Sequence, residues 1–187
     1  MANRNTQGFG LIPAGTLGQT PATSGTGKYK IDAGYSTTIY HGGAVASNAG
    51  YIIDGQTTDA PILGVLNGIF YNAATTLKPT FANFYKQPIT PANSEDIDAF
   101  VFDNPQQQYV VATDDSVAQS GYLETYDMNT SAGSDTTGQS SATLDIGDTS
   151  ADAASFRLLR SAEDPENDEN AAFRSVVVCL NLIELQS

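Results

Sequence analysis

Two side chains in this 187-residue chain are suited to nucleophilic or general-base chemistry, and each occurs once. They are His41, in Ile39-Tyr-His-Gly-Gly43, and Cys179, in Val176-Val-Val-Cys-Leu-Asn-Leu-Ile183. A hydrolytic triad places an imidazole between a nucleophile and an orienting carboxylate. Ser and Asp are plentiful enough to supply both partners, yet no Gly-x-Ser-x-Gly elbow occurs. Cys179 stands among core-type neighbours, which predicts a buried, inert thiol rather than half of a Cys–His dyad. His41 reads as a strand-end or turn histidine. A single cysteine allows no intrachain disulfide. On these residues no catalytic site is expected.

Metal and phosphate chemistry have little to build on. One His and one Cys do not complete a tetrahedral zinc site without carboxylates. Calcium takes oxygen ligands, which Asp145, Asp148 and Asp152, the Asp114-Asp115 pair and the Glu163–Glu169 run supply, but none matches the twelve-residue EF-hand loop. Solvated acidic loops are the expectation, with no resident metal or cofactor. Thr23-Ser-Gly-Thr-Gly-Lys-Tyr29 has a Gly-x-Lys look but lacks the full phosphate-loop pattern and the strand before it.

The aromatic residues are the remaining resource. Phe81, Phe84 and Tyr85 follow Lys78-Pro79, and Phe100 and Phe102 alternate in the next strand. Core packing accounts for most of them. An exposed subset at an interface is the runner-up, since aromatics are enriched there. A sugar-stacking platform is a further option, weakened by the absence of Trp.

The elements that must position these residues read as β. Ser and Thr supply 35 residues and Gly 17, a composition that favours strands and turns over helices. Short runs of β-branched and aromatic residues closed by Gly, Pro, Asn or Asp predict strands near 28–32, 36–41, 43–47, 50–54, 62–70, 80–86, 98–103, 108–113, 121–126, 142–146, 154–161 and 173–185. Single helical turns are expected at 114–119 and 150–155, and a surface loop over 129–139. A chain of this length buries roughly 70% of its unfolded surface and needs no disulfide or metal to fold. The expected architecture is all-β, a barrel or sandwich with an extended N-terminal arm and few helical turns. The arm covers residues 1–27, and one β domain covers 28–187. Within the arm, Phe9, Leu11, Ile12 and Pro13 form an apolar anchor expected to dock on a neighbouring subunit.

Charge narrows the partners. Residues 1–92 carry five Lys/Arg against three Asp/Glu, and residues 93–187 carry three against eighteen, for a total of −13. Such acidity argues against nucleic acid, because phosphates would be repelled almost everywhere. It also suggests that the acidic half faces solvent while the near-neutral half lies on a partner. No run approaches the ~18 apolar residues needed to span a bilayer, and the N-terminus lacks the apolar core of a secretion signal. A soluble protein made in a cytoplasm is expected.

Four stretches, in order, resemble a widespread family of small tailed-phage virion proteins regarded as capsid decoration, or cement, proteins. They are Gly8-Phe-Gly-Leu-Ile-Pro13; Ile62-Leu-Gly-Val-Leu-Asn-Gly-Ile-Phe70 with Lys78-Pro-Thr-Phe-Ala-Asn-Phe-Tyr85; Phe100-Val-Phe-Asp-Asn-Pro105 with Tyr109-Val-Val-Ala112; and Phe156-Arg-Leu-Leu-Arg160 with Asp164-Pro-Glu-Asn167 and the closing strand. Where the family often ends Ile-Asn-Glu-His, this chain reads Leu180-Asn-Leu-Ile-Glu-Leu185. The resemblance implies a structural protein without enzymatic activity. It would sit on the outside of an icosahedral head, bind the major capsid protein and bridge its subunits, with a homotrimer as the preferred state. The alternative is a carbohydrate-binding or host-adhesion module on a virion surface, which an exposed aromatic platform beside Asp and Asn, together with calcium dependence, would favour. A hydrolase would require His41 beside an acid and a nucleophile in a cleft.

Overall fold

The computed structural model describes residues 3, 5–18, 25–55, 61–129, 133–147, 155–168 and 170–181. These form two antiparallel sheets and a small two-stranded ribbon, with two 3-10 turns at Ala92–Ser94 and Gln119–Gly121. Both sheets are open, as in a β-sandwich rather than a closed barrel.

The first sheet runs in the order β1 (Ile12–Thr16), β8 (Gln107–Ala112), β13 (Ser175–Leu180), β12 (Phe156–Ser161) and β9 (Thr125–Tyr126). Its inner face presents Tyr109 and Val111, then Val176, Val178 and Leu180, then Phe156 and Leu158. These alternate residues are β-branched or large, which suits a half-buried pleat. The ribbon of β10 (Met128–Asn129) and β11 (Thr143–Leu144) covers part of this face through Met128 and Leu144.

The second sheet runs β2 (Gly27–Ile31), β7 (Ile97–Phe102), β5 (Gly64–Asn72), β3 (Ala44–Asn48) and β4 (Tyr51–Asp54), with β6 (Pro79–Ala82) also paired to β5. It curls around its own core of Ile31, Val45, Ile52, Leu66, Ile69, Ile97, Ala99 and Val101, closed by Ile39 and Tyr85. On its opposite face Ala44 and Val65 join the core of the first sheet, and Phe102 packs against it. The Tyr109 hydroxyl donates to the Phe102 carbonyl at 3.0 Å, tying the two sheets together. Only one end of that face is covered in this way. Phe70, Phe81 and Phe100, further along it, are not.

The N-terminal segment is extended, and it lies along its own domain. Leu11 is 1% exposed in the core of the first sheet, and β1 pairs with β8 from Ile12↔Val110 to Thr16↔Gln107. Asn3 donates to the carbonyls of Ala171 and Ala172, and Gln139 donates to the carbonyl of Phe9 at 2.7 Å. The glycines around Phe9 explain how the segment comes so close. A Cβ on Gly8 would collide with the Ser141 carbonyl oxygen, and Gly10 has φ +72° with Gly42 O only 2.7 Å from a built Cβ. The expected boundary at residue 27 is therefore revised: residues 12–16 are the edge strand of a sheet, and Leu11 fills the chain's own core instead of anchoring a neighbour.

Candidate binding surfaces

The uncovered end of the second sheet is built by strand register. Lys30 faces Asp98 across β2 and β7, Asp98 faces Phe70 across β7 and β5, and Phe70 faces Phe81 across β5 and β6. One row therefore reads cation, anion, ring, ring. The next row pairs Lys28 with Phe100 and Phe100 with Gly68. Gly68 carries no side chain, so nothing on β5 separates Phe100 from Phe81. The rings of Phe70 and Phe81 lie 4.7 Å apart, and those of Phe81 and Phe100 stack at 6.2 Å with 19° between planes. Phe81 is 74% exposed. A phenylalanine left in water forgoes roughly 1.5–3 kcal/mol of burial, so a clustered, exposed ring is a recognition feature worth explaining.

The two lysines close on Asp98 from β2, at 2.7 Å from Lys28 and 2.6 Å from Lys30. Burial works against the Asp98 carboxylate, yet its bonds to Lys28 and Lys30 hold it below the ordinary carboxylate range. The same contact raises Lys30 above its ordinary value. Beside this pair opens a cleft of about 340 Å³ lined by Lys30, Phe70, Asn72, Pro91, Glu95 and Asp96. Tyr51 donates to Asp96 at 3.2 Å and holds that carboxylate in place.

A second surface is the outside of the first sheet. On β1, Ile12 is 47% exposed and Pro13 half-buried, while Leu17, just beyond the strand, is 40% exposed. Of the four residues expected at an interface, Leu11 is spent in the core, and Phe9 is half-buried with its carbonyl engaged. Ile12 and Pro13 remain at the surface, on a strand whose other side is the end of the sheet. Across the sheet the same outer face carries Val110, Val177 and Arg160, in register with Ile12; Val177 is already buried at 2% exposed, so Val110 and Arg160 are the members of this row, besides Ile12, that reach the surface.

The strands of this sheet contain no carboxylate, although residues 104–187 hold fourteen Asp/Glu against three Arg. The described acids of this stretch sit between strands.

Compared with protein-family models, curated proteins and solved structures, the chain matches none.

The remaining candidates are placed individually. His41 forms a bridge with Gln139, and its Nδ1 lies 2.9 Å from the Asn67 carbonyl oxygen. Cys179 lies on β13, opposite Gln108 and Arg157, and is 6% exposed. Burial pushes its thiol up. The structure does not bring these two together with a shared partner. Asp114 accepts from the Ile146 amide and Asp145 from the Gly147 amide, while Asp148 and Asp152 lie outside the described residues. Glu163 is 94% exposed at its side chain, and Glu169 is likewise not described. Among the described residues no three of His, Cys, Asp and Glu gather to hold a metal, and no helix is long and apolar enough to cross a membrane. The Gly-x-Lys stretch begins outside the described residues, at Thr23 and Ser24, and ends in β2, where Lys28 meets Asp98.

Of the aromatics read from sequence, Tyr85 is core, Phe84 stacks on Tyr40 at 5.8 Å, and Phe102 backs the first sheet's core. Sequence reading did not single out Phe70 as a platform ring, or Lys30, Asn72 and Asp96 beside it. The alternation of Lys28 and Lys30 hints at one face, but their partner Asp98 is set by a pairing across some seventy residues.

Proposed function

We propose that the protein is a decoration (cement) protein of a phage head, attached through the outer face and free edge of its first sheet. The observation that carries this is the absence of carboxylates from all five strands of that sheet, four of which lie in the most acidic part of a −13 chain. A shell-bound surface needs to bury its groups without stranding charge, and this is the face that permits it. Exposed Ile12 and Leu17 supply apolar contact at the β1 edge. The four stretches that resemble the decoration family support the same reading.

In this reading the ligand is the major capsid protein on the outer surface of the head. Modest contacts repeated at every site, and a trimer spanning several capsid subunits, would multiply weak affinity into stable cementing. Co-sedimentation with empty heads tests it. Ile12→Lys places a charge in the contact and is expected to lower bound protein at least tenfold while the variant stays folded. Binding of Ile12→Lys equal to that of the unmodified chain would remove this face from the contact.

A further inference from the structure

We infer that the Phe70–Phe81–Phe100 platform and the adjoining cleft form a binding site for an uncharged carbohydrate. A pyranose presents a flat face of C–H groups and a rim of hydroxyls, each both donor and acceptor. Its receptor therefore needs an apolar plane next to mixed polar groups. The platform supplies the plane, with Phe81 exposed and its ring held between two others at 4.7 and 6.2 Å. The cleft supplies the rim: the Lys30 ammonium and Asn72 amide donate, and the Glu95 and Asp96 carboxylates accept. At about 340 Å³ it falls in the size range of small-ligand clefts. Phe70 belongs to both halves, so one ligand can reach both.

The local charge chooses among ligand classes. Lys28 and Lys30 are held by Asp98, and Glu95 and Asp96 stand beside them. A nucleic acid or polyanionic glycan would meet the carboxylates of an acidic chain. A cationic peptide would meet two lysines at the platform's edge. A purely apolar segment would bury Glu95 and Asp96 without partners, which is costly. A neutral polyol is the class that gives hydrogen bonds to both donors and acceptors without bringing a charge that either would repel. The fixed Asp96, held by Tyr51, keeps one acceptor in place before binding.

The site is independent of the capsid contact, which lies on the other sheet, and the two are separable by experiment. The purified chain is applied to an array of neutral, N-acetylated, sialylated and sulfated glycans, and the best neutral hit is titrated calorimetrically. Retention of neutral or N-acetylated glycans is expected, unchanged by chelator. Phe81→Ala and Asp96→Asn should each weaken the titrated affinity at least tenfold without lowering the melting temperature. Phe81→Ala should leave co-sedimentation with heads intact, and Ile12→Lys should leave glycan binding intact. Retention of no glycan, retention of the anionic glycans only, or affinity unmoved by Phe81→Ala would each overturn the inference.

Discussion

Asp98 shows how a single side chain shapes the second sheet. Its carboxylate is held below the ordinary range against the cost of burial, because Lys28 and Lys30 both close on it. A depressed folded value contributes stability above the unfolded value of about 4 and loses it as pH falls through the folded value. Asp98→Asn should therefore flatten the acid limb of the stability curve below about pH 4. Denaturant titrations at stepped pH measure this, and an unchanged limb in the variant would contradict it. Two further residues carry sharp expectations. Gly10→Ala forces a side chain into a left-handed backbone beside Gly42 O, and should cost about 1–3 kcal/mol in chemical denaturation. Cys179, buried and with its thiol pushed up, should react with a thiol probe slowly in the native protein and quickly in denaturant. Rapid native labelling would contradict its burial.

At the scale of elements, the N-terminal strand is where sequence and structure diverge most usefully. Residues 1–27 have no periodicity and few apolar residues, so they read as an arm. The strand at Ile12–Thr16 contains Pro and Gly, both poor strand formers. It is a strand because β8 offers it a ladder and because Gly8 and Gly10 let the preceding backbone lie against Ser141 and Gly42. Tertiary context of this kind has no local signature. Removing residues 2–16 should therefore destabilise the whole domain rather than release an arm, and Leu11→Ala alone should cost about 2–5 kcal/mol. Equilibrium unfolding of both variants checks this.

Elsewhere alternation was a sound guide. The runs over 28–32, 43–47, 98–103 and 108–113 fall within a residue of β2, β3, β7 and β8. The run over 36–41 yields only isolated bridges at Ile39 and His41, and 80–86 shortens to β6 with a bridge at Tyr85. In both places the chain turns inward to cap the second core, so its apolar residues are buried without a continuous ladder. The expected turn at 114–119 lies instead at Gln119–Gly121, and the one at 150–155 falls mostly outside the described residues. The platform was half legible. Phe81 and Phe100 stood out as aromatic, but which rings are exposed depends on how far the first sheet reaches across the second.

For the whole molecule, charge placement is the organising fact. Of the net charge of −13, residues 104–187 carry −11, with fourteen Asp/Glu against three Arg; no carboxylate lies in the strands of the first sheet, and two of the arginines lie on β12. The acids disfavour contact with nucleic acid, and in the proposed reading the sheet face, which carries arginine but no carboxylate on its strands, is the one left for a protein partner. Contact through that face implies modest salt dependence and little response to chelators. The most direct measurement of the proposed role is quantitative mass spectrometry of virions purified from a phage whose genome carries this sequence. A decoration protein is expected there in copy numbers comparable to those of the major capsid protein, and it should be lost first when heads are stripped under mild denaturation. Absence from purified virions, or presence at only a few copies per particle, would contradict the account.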